Sequence, residues 1–447
     1  MSMSFRGRLL AAIFSTGLAG AFAAPACAET LADAIALAYD SNPTLQAQRA
    51  TQRALDENYV QARSGWRPQI GLQGSVTDTQ IRTPALARGG AIDTNGDGIP
   101  DTSVPLLGDG ITNRTSGTVG VSFSQPLWTG GRTAAAVSAA EADIMSGREN
   151  LRRIEAQILA TVIQAYSDVR RDQEGLRIRQ ENVSVLQHQL EESQARFDVG
   201  EITRTDVAQS QSRLAAAQAQ YQSAVAQLAI SRANYAAVVG QNPGDLAPEP
   251  SLAFLMPSNV DEAFTVAEQN SPLLRAQQFA EQASRARVAG ARAERMPNIS
   301  LRTTLGYTGN AHPYDSDLWS KNIQTQATVT VPLFTGGLTS SRIRQSIERN
   351  NVDRINIETQ RRAVLQTITQ FWNQLTAARA NIGSTAEQTR AARIAAEGTR
   401  QEQQVGLRTT LDVLNAEQEL RNAELAQVSA TRDEYVAASS VLAAMGR

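Results

Sequence analysis

The chain has 447 residues, of which 42% are apolar, 5% aromatic and 19% charged. That is too polar for a bundle of membrane-spanning helices and too apolar for a disordered chain. With 42 basic against 44 acidic residues it lacks the charge excess of a nucleic-acid binder, and two histidines (His188, His312) and one cysteine (Cys27) leave little for a zinc site, a histidine triad or a disulfide framework.

Residues 1–28 place Arg6 and Arg8 before an apolar stretch from Leu9 to Ala24, followed by Ala26-Cys27-Ala28 and then Glu29. This is the pattern of a secretory signal peptide cut after Ala28, which would leave a mature chain without cysteine. An uncleaved anchor helix and acylation at Cys27 are the alternatives. No later segment offers the ~20 apolar residues of a helical span. An exported bacterial chain of this kind is periplasmic, secreted, or a β-barrel of the outer membrane.

The rest of the chain is a two-fold internal repeat. Residues 31–48 align with 260–277, and Pro68-Gln69-Ile70 with Pro297-Asn298-Ile299, at an offset of 229; PLWTGG at 126–131 aligns with PLFTGG at 332–337 at an offset of 206. The boundaries are a first repeat over 29–239, a proline-rich linker over 240–259 and a second repeat over 260–447. Each repeat opens with a helix (31–63, 260–292) rich in strong helix formers, stopped near Pro68 or Pro297. The period then becomes two. Ile70, Leu72 and Val76 alternate with polar residues, as do Ile299, Leu301, Leu305 and Tyr307, and second runs carry Val119, Val121 and Phe123, or Ala327, Val329 and Val331. These are strands with one apolar and one polar face.

The first repeat holds 23 extra residues between Pro68 and Pro126, among them 93-DTNGDGIPD-101. Asp93, Asn95, Asp97 and Asp101 at these spacings, with Gly98 at the sixth position, can wrap a calcium ion; a solvated Asp/Gly surface loop is the other reading.

After Gly130-Gly131 and Gly336-Gly337 the chain stays helical to about Asp198 and Gln404, roughly 100 Å at 1.5 Å per residue. Leu151, Ile154, Ile158, Val162, Ala165 and Val169 in one half, and Val364, Ile368, Phe371, Leu375, Ala378 and Ile382 in the other, form seams of coiled-coil spacing. Short turns then reverse each chain segment into helices 205–239 and 410–444, with Thr205 and Thr409 read as caps. Four strands cannot close a membrane barrel, whose smallest members have about eight, so the chain must oligomerise; counting alone leaves two copies or three. Trp128 and Phe334, at equivalent strand ends, suit a membrane interface. The polar strand face suits a wet lumen, and a channel without catalysis follows. A non-conducting structural or adhesive trimeric coiled coil is the rival if the alternating runs are not membrane strands.

Residues 196–214 (RFDVGEITRTDVAQSQSRL) and 403–420 (QQVGLRTTLDVLNAEQEL), with the paired PLWTGG and PLFTGG, resemble the TolC family of outer-membrane export ducts over essentially the whole mature chain. The resemblance implies a mixed α/β fold. By that resemblance each chain would contribute four transmembrane strands and long periplasmic coiled-coil helices to a homotrimer, with a twelve-strand β-barrel set in outer-membrane lipid and a twelve-helix periplasmic tunnel. It implies a periplasmic membrane-fusion adaptor and an inner-membrane ABC transporter or proton-driven pump as partners, with protein (type I secretion) or small molecules as cargo. It implies adaptor-docking turns at Val199, Gly200, Thr203, Val405, Gly406 and Thr409, and a periplasmic gate in which Arg408 pairs with Asp206. Asp412 would form a constriction ring, with Asn415 where a second ring carboxylate usually stands and Gln403 where a tyrosine often does. Helix capping is the competing role for Asp206 and Asp412.

Overall fold

The computed structural model describes residues 28–83, 91–99, 101–103, 110–310 and 319–446. Most of the expected signal peptide, with Cys27, and His312 lie outside the described residues. The chain is mixed α/β. In order it forms α1 (Leu31–Ser41), α2 (Pro43–Ser64), β1 (Gln69–Thr83), the short β2 (Ala91–Ile92) and β3 (Thr102–Ser103), β4 (Gly110–Trp128), α3 (Arg132–Asp198) and α4 (Arg204–Val239). A 3₁₀ turn then leads to α5 (Val260–Asn270), α6 (Pro272–Ala293), β5 (Asn298–Asn310), β6 (Ser320–Thr330), α7 (Leu338–Gln404) and α8 (Thr410–Ala444). The long helices α3 and α7 each run 67 residues.

Two expected helices are each broken in two. A proline disfavours the helical region for the residue before it and lacks the N–H that would continue the ladder, so Asn42-Pro43 and Ser271-Pro272 split 31–63 and 260–292. Asn42 leaves the helix and caps the next one, its Oδ1 accepting from Thr44 N at 3.0 Å, with Pro43 in the first turn where a missing N–H costs nothing. Ser271 ends α5 by donating its N–H to Ala267 O at 2.8 Å.

The four long strands form one antiparallel sheet in the order β1-β4-β5-β6. Its register lines up Leu72, Val121, Leu305 and Ile323 directly across all four strands, and beside them Gly71, Ser122, Thr304 and Gln324. Because side chains alternate with period two, the first row and its neighbours make one mainly apolar face, with Lys321 towards its far end, and the second row makes an opposite face of Gln, Ser, Thr, Asn and Gly that also carries Arg114 and Arg302. Gly120 and Gly306 pair on the polar face, where a Cβ on Gly306 would meet Val119 O at 2.8 Å, closer than real Cβ contacts come.

By contact the chain divides into two compact units, each drawing on both sequence halves. One contains the sheet, the segments Tyr39–Thr161 and Leu252–Arg390, and the end of α8 from Ser429. Its core joins Ala263 and Ala267 of α5 to Val364, Ile368 and Leu375 of α7 and Val441 and Met445 at the carboxyl end, so the α7 seam read from the sequence is largely the buried stripe. The other contains residues up to Ala38, Val162–Ser251 and Ala391–Val428. There Leu186, Leu214, Ala217 and Leu414 form one cluster, and Ala392, Ala396, Leu420 and Ala423 a second, whose small residues let helices approach closely.

Candidate functional site

The helical turns close in the same way. At the end of α3, Gly200 (φ +79°) donates its N–H to Phe197 O at 2.9 Å and Glu201 donates to Arg196 O at 2.9 Å. At the end of α7, Gly406 (φ +80°) donates to Gln403 O at 2.9 Å and Leu407 to Glu402 O at 2.8 Å. Both are Schellman motifs, which need a residue in the left-handed region, and glycine adopts it without steric cost. Val199, Val405 and Leu407 stand exposed on these turns.

The following helices begin with reciprocal caps. Thr203 N and Oγ1 donate to Asp206 Oδ2 at 3.0 and 2.7 Å, and Asp206 N donates to Thr203 Oγ1. Thr409 N and Oγ1 donate to Asp412 Oδ2 at 3.0 and 2.8 Å, with the same return bond. The α4 cap is therefore Thr203, two residues before the expected Thr205, because only Thr203 stands three residues before an acid that can answer it. The backbone N–H and hydroxyl of Thr409 hold the Asp412 carboxyl below its ordinary value.

Within one chain Arg408 and Asp206 form no ion pair with each other. Arg408 Nε donates to Glu402 Oε2 at 2.8 Å on its own hairpin, and that carboxylate holds the guanidinium above its ordinary value. The first turn carries the same kind of pair with charges exchanged, Arg196 on the helix binding Glu201 in the turn at 2.9 Å. Neither Glu402 nor Glu201 is apparent as a partner from sequence, although each lies five or six residues from its arginine across a Gly turn, a spacing that could have flagged them. Asn415 accepts from Arg213 Nη2 at 2.9 Å, and Arg213 also donates to Gln418. A cation of α4 thus stands beside the position where the family resemblance implies a ring carboxylate. Gln403 is buried and its Nε2 has no hydrogen-bond partner.

On the sheet, the register shifts between Pro126 and Trp128, so that Trp128 pairs with Ile299. This bulge turns Trp128 onto the apolar face; uninterrupted alternation from Phe123 would have placed it on the polar one. Phe334 lies beyond β6 and is exposed. In the first-half loop, Asp93 accepts backbone N–H groups from Asn95, Gly96 and Gly98, which lower its carboxyl pKa, and Asp97 accepts from Ile99. Asp101 accepts from Thr94 Oγ1 at 3.1 Å. Among the described residues no group of three or more His, Cys, Asp or Glu side chains is gathered as a metal site.

Sequence reading missed a third constellation. Tyr166 and Tyr235 are fully buried, with ring centroids 6.4 Å apart. Tyr235 OH donates to Glu29 Oε1 at 2.6 Å, and the one proton of Tyr166 OH is shared between Ala247 O at 2.6 Å and Glu29 O at 2.9 Å. Glu29 further bridges the linker, donating N–H to Asp245 O at 2.8 Å and accepting from Ala247 N at 2.9 Å. Burial pushes Tyr166 up to about 12; burial, followed by the bond to Glu29, raises Tyr235 as well.

Comparison with known proteins matches residues 34–241 and 264–447 to a family described as outer membrane efflux protein. The chain is 35% identical over 427 residues to the outer membrane efflux protein BepC of Brucella suis, covering 94% of this chain and 86% of that one. It is 26% identical over 297 residues to the alkaline protease secretion protein AprF of Pseudomonas aeruginosa, covering 65% of this chain and 61% of that one. In fold it resembles the open state of the Neisseria gonorrhoeae MtrE outer membrane channel, with a TM-score of 0.72 at 19% identity over 93% of this chain and 88% of that one.

Proposed function

Because the chain belongs to the outer membrane efflux protein family, the TolC family, we propose that three copies join their four-stranded sheets edge to edge in the outer membrane and form a duct fed by an inner-membrane pump through a periplasmic adaptor. The observation that carries this reading is the two-faced sheet. Leu72, Val121, Leu305 and Ile323 are 75, 41, 43 and 62% exposed, an apolar row left open among the described residues, although no described helix is long and apolar enough to cross a membrane. Water on that row is unfavourable, whereas lipid on it and water on the Gln/Ser/Thr row is the division a barrel wall makes. Among the described residues the outer edges of β1 and β6 have no strand beside them in the sheet, and pairing them with further copies removes both edges. The duct performs no chemistry of its own.

The cargo we propose is small molecules, supported by the 35% identity to an efflux protein over nearly the whole chain. Protein export is the second reading, favoured by the likeness to a protease secretion protein. At the turns, Arg408 would exchange its own Glu402 for Asp206 of a neighbouring copy in the closed state, and the exposed Val199, Val405 and Leu407 would meet the adaptor. Deleting the gene decides the cargo. Hypersensitivity to dyes and antibiotics with an unchanged secreted-protein profile supports small molecules, and the reverse pattern supports protein export. Neither defect, together with no conductance in a planar bilayer, contradicts the duct.

A further inference from the structure

The helix-side end of the sheet carries exposed arginines without an ion pair among the described residues. There β1 begins, β4 ends, β5 begins and β6 ends, and the pairings Gln69 with Ser124, Trp128 with Ile299 and Asn298 with Thr330 set these four ends in one row. Each end is followed or preceded by exposed arginine: Arg63 and Arg67 before β1, Arg132 after β4, Arg292 before β5 and, in the second turn of α7, Arg344 after β6. None of these five forms an ion pair among the described residues. Of their neighbours, Arg342 pairs with Glu294 at 3.3 Å and Arg295 reaches only the Ser340 hydroxyl at 2.9 Å.

An exposed arginine in water needs no partner, so a second feature gives the row its meaning. Trp66, Trp128, Met296 and Phe334 occupy the same four strand ends and are 46, 57, 52 and 91% exposed. One of them, Trp128, is turned onto the apolar face by the bulge. An apolar strand face that ends in large exposed side chains and exposed guanidinium groups offers partners for an acyl chain, the interfacial glycerol region and a phosphate. The residue type suits phosphate too: the planar fork of arginine binds phosphate oxygens in pairs, and the sole lysine of the chain, Lys321, lies on β6 at the far end of the sheet.

We propose that Arg67, Arg132 and Arg344, with Arg63 and Arg292, bind the phosphate groups of glycerophospholipids in the periplasmic leaflet and so fix the depth of the barrel. This rests on the barrel reading above. The test is native mass spectrometry of the trimer released from nanodiscs containing phosphatidylglycerol or, in parallel, a phosphate-free galactolipid, with planar-bilayer conductance measured on the same preparations. The wild type should retain phosphatidylglycerol in preference to galactolipid, and retention should fall as salt rises. Arg67→Gln/Arg132→Gln/Arg344→Gln should keep its conductance and lose retention roughly tenfold or more, while the triple Lys variant should keep much of it. Equal retention of the two lipids by the wild type, or unchanged retention in a conducting Gln variant, overturns the proposal. Lipid A displacing phosphatidylglycerol from the wild type overturns the assignment to glycerophospholipid. Should the Gln variant fail to assemble, headgroup preference and salt dependence of the wild type decide alone. A wild type that neither trimerises nor conducts fails the barrel reading instead.

Discussion

Replacing Tyr235 with Phe removes one bond and almost no volume. The bond is 2.6 Å long, from a fully buried phenol to the Glu29 carboxylate, and hydrogen bonds to charged groups contribute about 1.5–3 kcal/mol. Glu29 keeps only longer contacts, from Gln241 Nε2 at 3.1 Å and Gly244 N at 3.4 Å, so compensation is small. Glu29 also holds the linker by its backbone, and Ala247 N donates to Glu29 O at 2.9 Å. Loosening the side chain should therefore lower the free energy of local opening for residues 241–250. At about 1.4 kcal/mol per tenfold, hydrogen exchange there should accelerate roughly 10- to 100-fold, as read by mass spectrometry of peptides from this segment. Peptides from the β-sheet should exchange as in the wild type. Tyr166→Phe, which loses one donor shared between the Ala247 and Glu29 carbonyls, should act in the same place, and the double variant should fall short of additivity because both phenols touch Glu29. Unchanged exchange over 241–250 in Tyr235→Phe would refute the reasoning.

The same two phenols set an alkaline limit. A raised folded-state pKa favours the neutral phenol, so its contribution is complete below the ordinary value of 10.0 and is lost as pH rises through about 12 for Tyr166; tyrosinate absorbance should show two late-titrating groups whose ionisation coincides with loss of linker protection. If Asp412 and Asn415 line a constriction, as the family resemblance implies, Asn415→Asp should raise cation preference only slightly, since Arg213 stands 2.9 Å away to pair with the new carboxylate, whereas Asn415→Asp/Arg213→Gln should raise it strongly in reversal-potential measurements. For the gate, Arg408→Ala and Asp206→Asn should each increase resting conductance, while Glu402→Gln, which frees Arg408 from its own hairpin, should not; resting conductance equal to wild type in both of the first two would place the lock elsewhere.

Much of the fold was legible because it is periodic. The strands alternate with period two, the long helices carry spaced apolar seams, and the repeat shows each element twice. Features set by one residue's backbone were harder to read: the breaks at Pro43 and Pro272 interrupt strongly helical composition, and the bulge before Trp128 reverses the face that simple alternation assigns. The capping role of Asp206 and Asp412 could be read because a cap is local, although the first cap fell on Thr203. Pairings between distant segments carried no signal at all. Glu29 and Tyr235 are 206 residues apart, and Arg213 and Asn415 are 202 apart. Arg408 binding Glu402 is local, yet the family resemblance drew attention to Asp206 instead.

In a barrel wall, adjacent residues of one strand face lipid and water in turn. Val121 and Ser122 are neighbours on β4, Val121 in the apolar row and Ser122 in the polar one. Cys27 is the sole cysteine and falls within the expected signal peptide, so Val121→Cys and Ser122→Cys each give a mature chain with one thiol. Single-channel current is recorded while a membrane-impermeant cationic methanethiosulfonate is added. Ser122→Cys should lose conductance stepwise, and Val121→Cys should show no change. Modification of Val121→Cys alone, or of both to the same extent, would contradict this division between lipid and water.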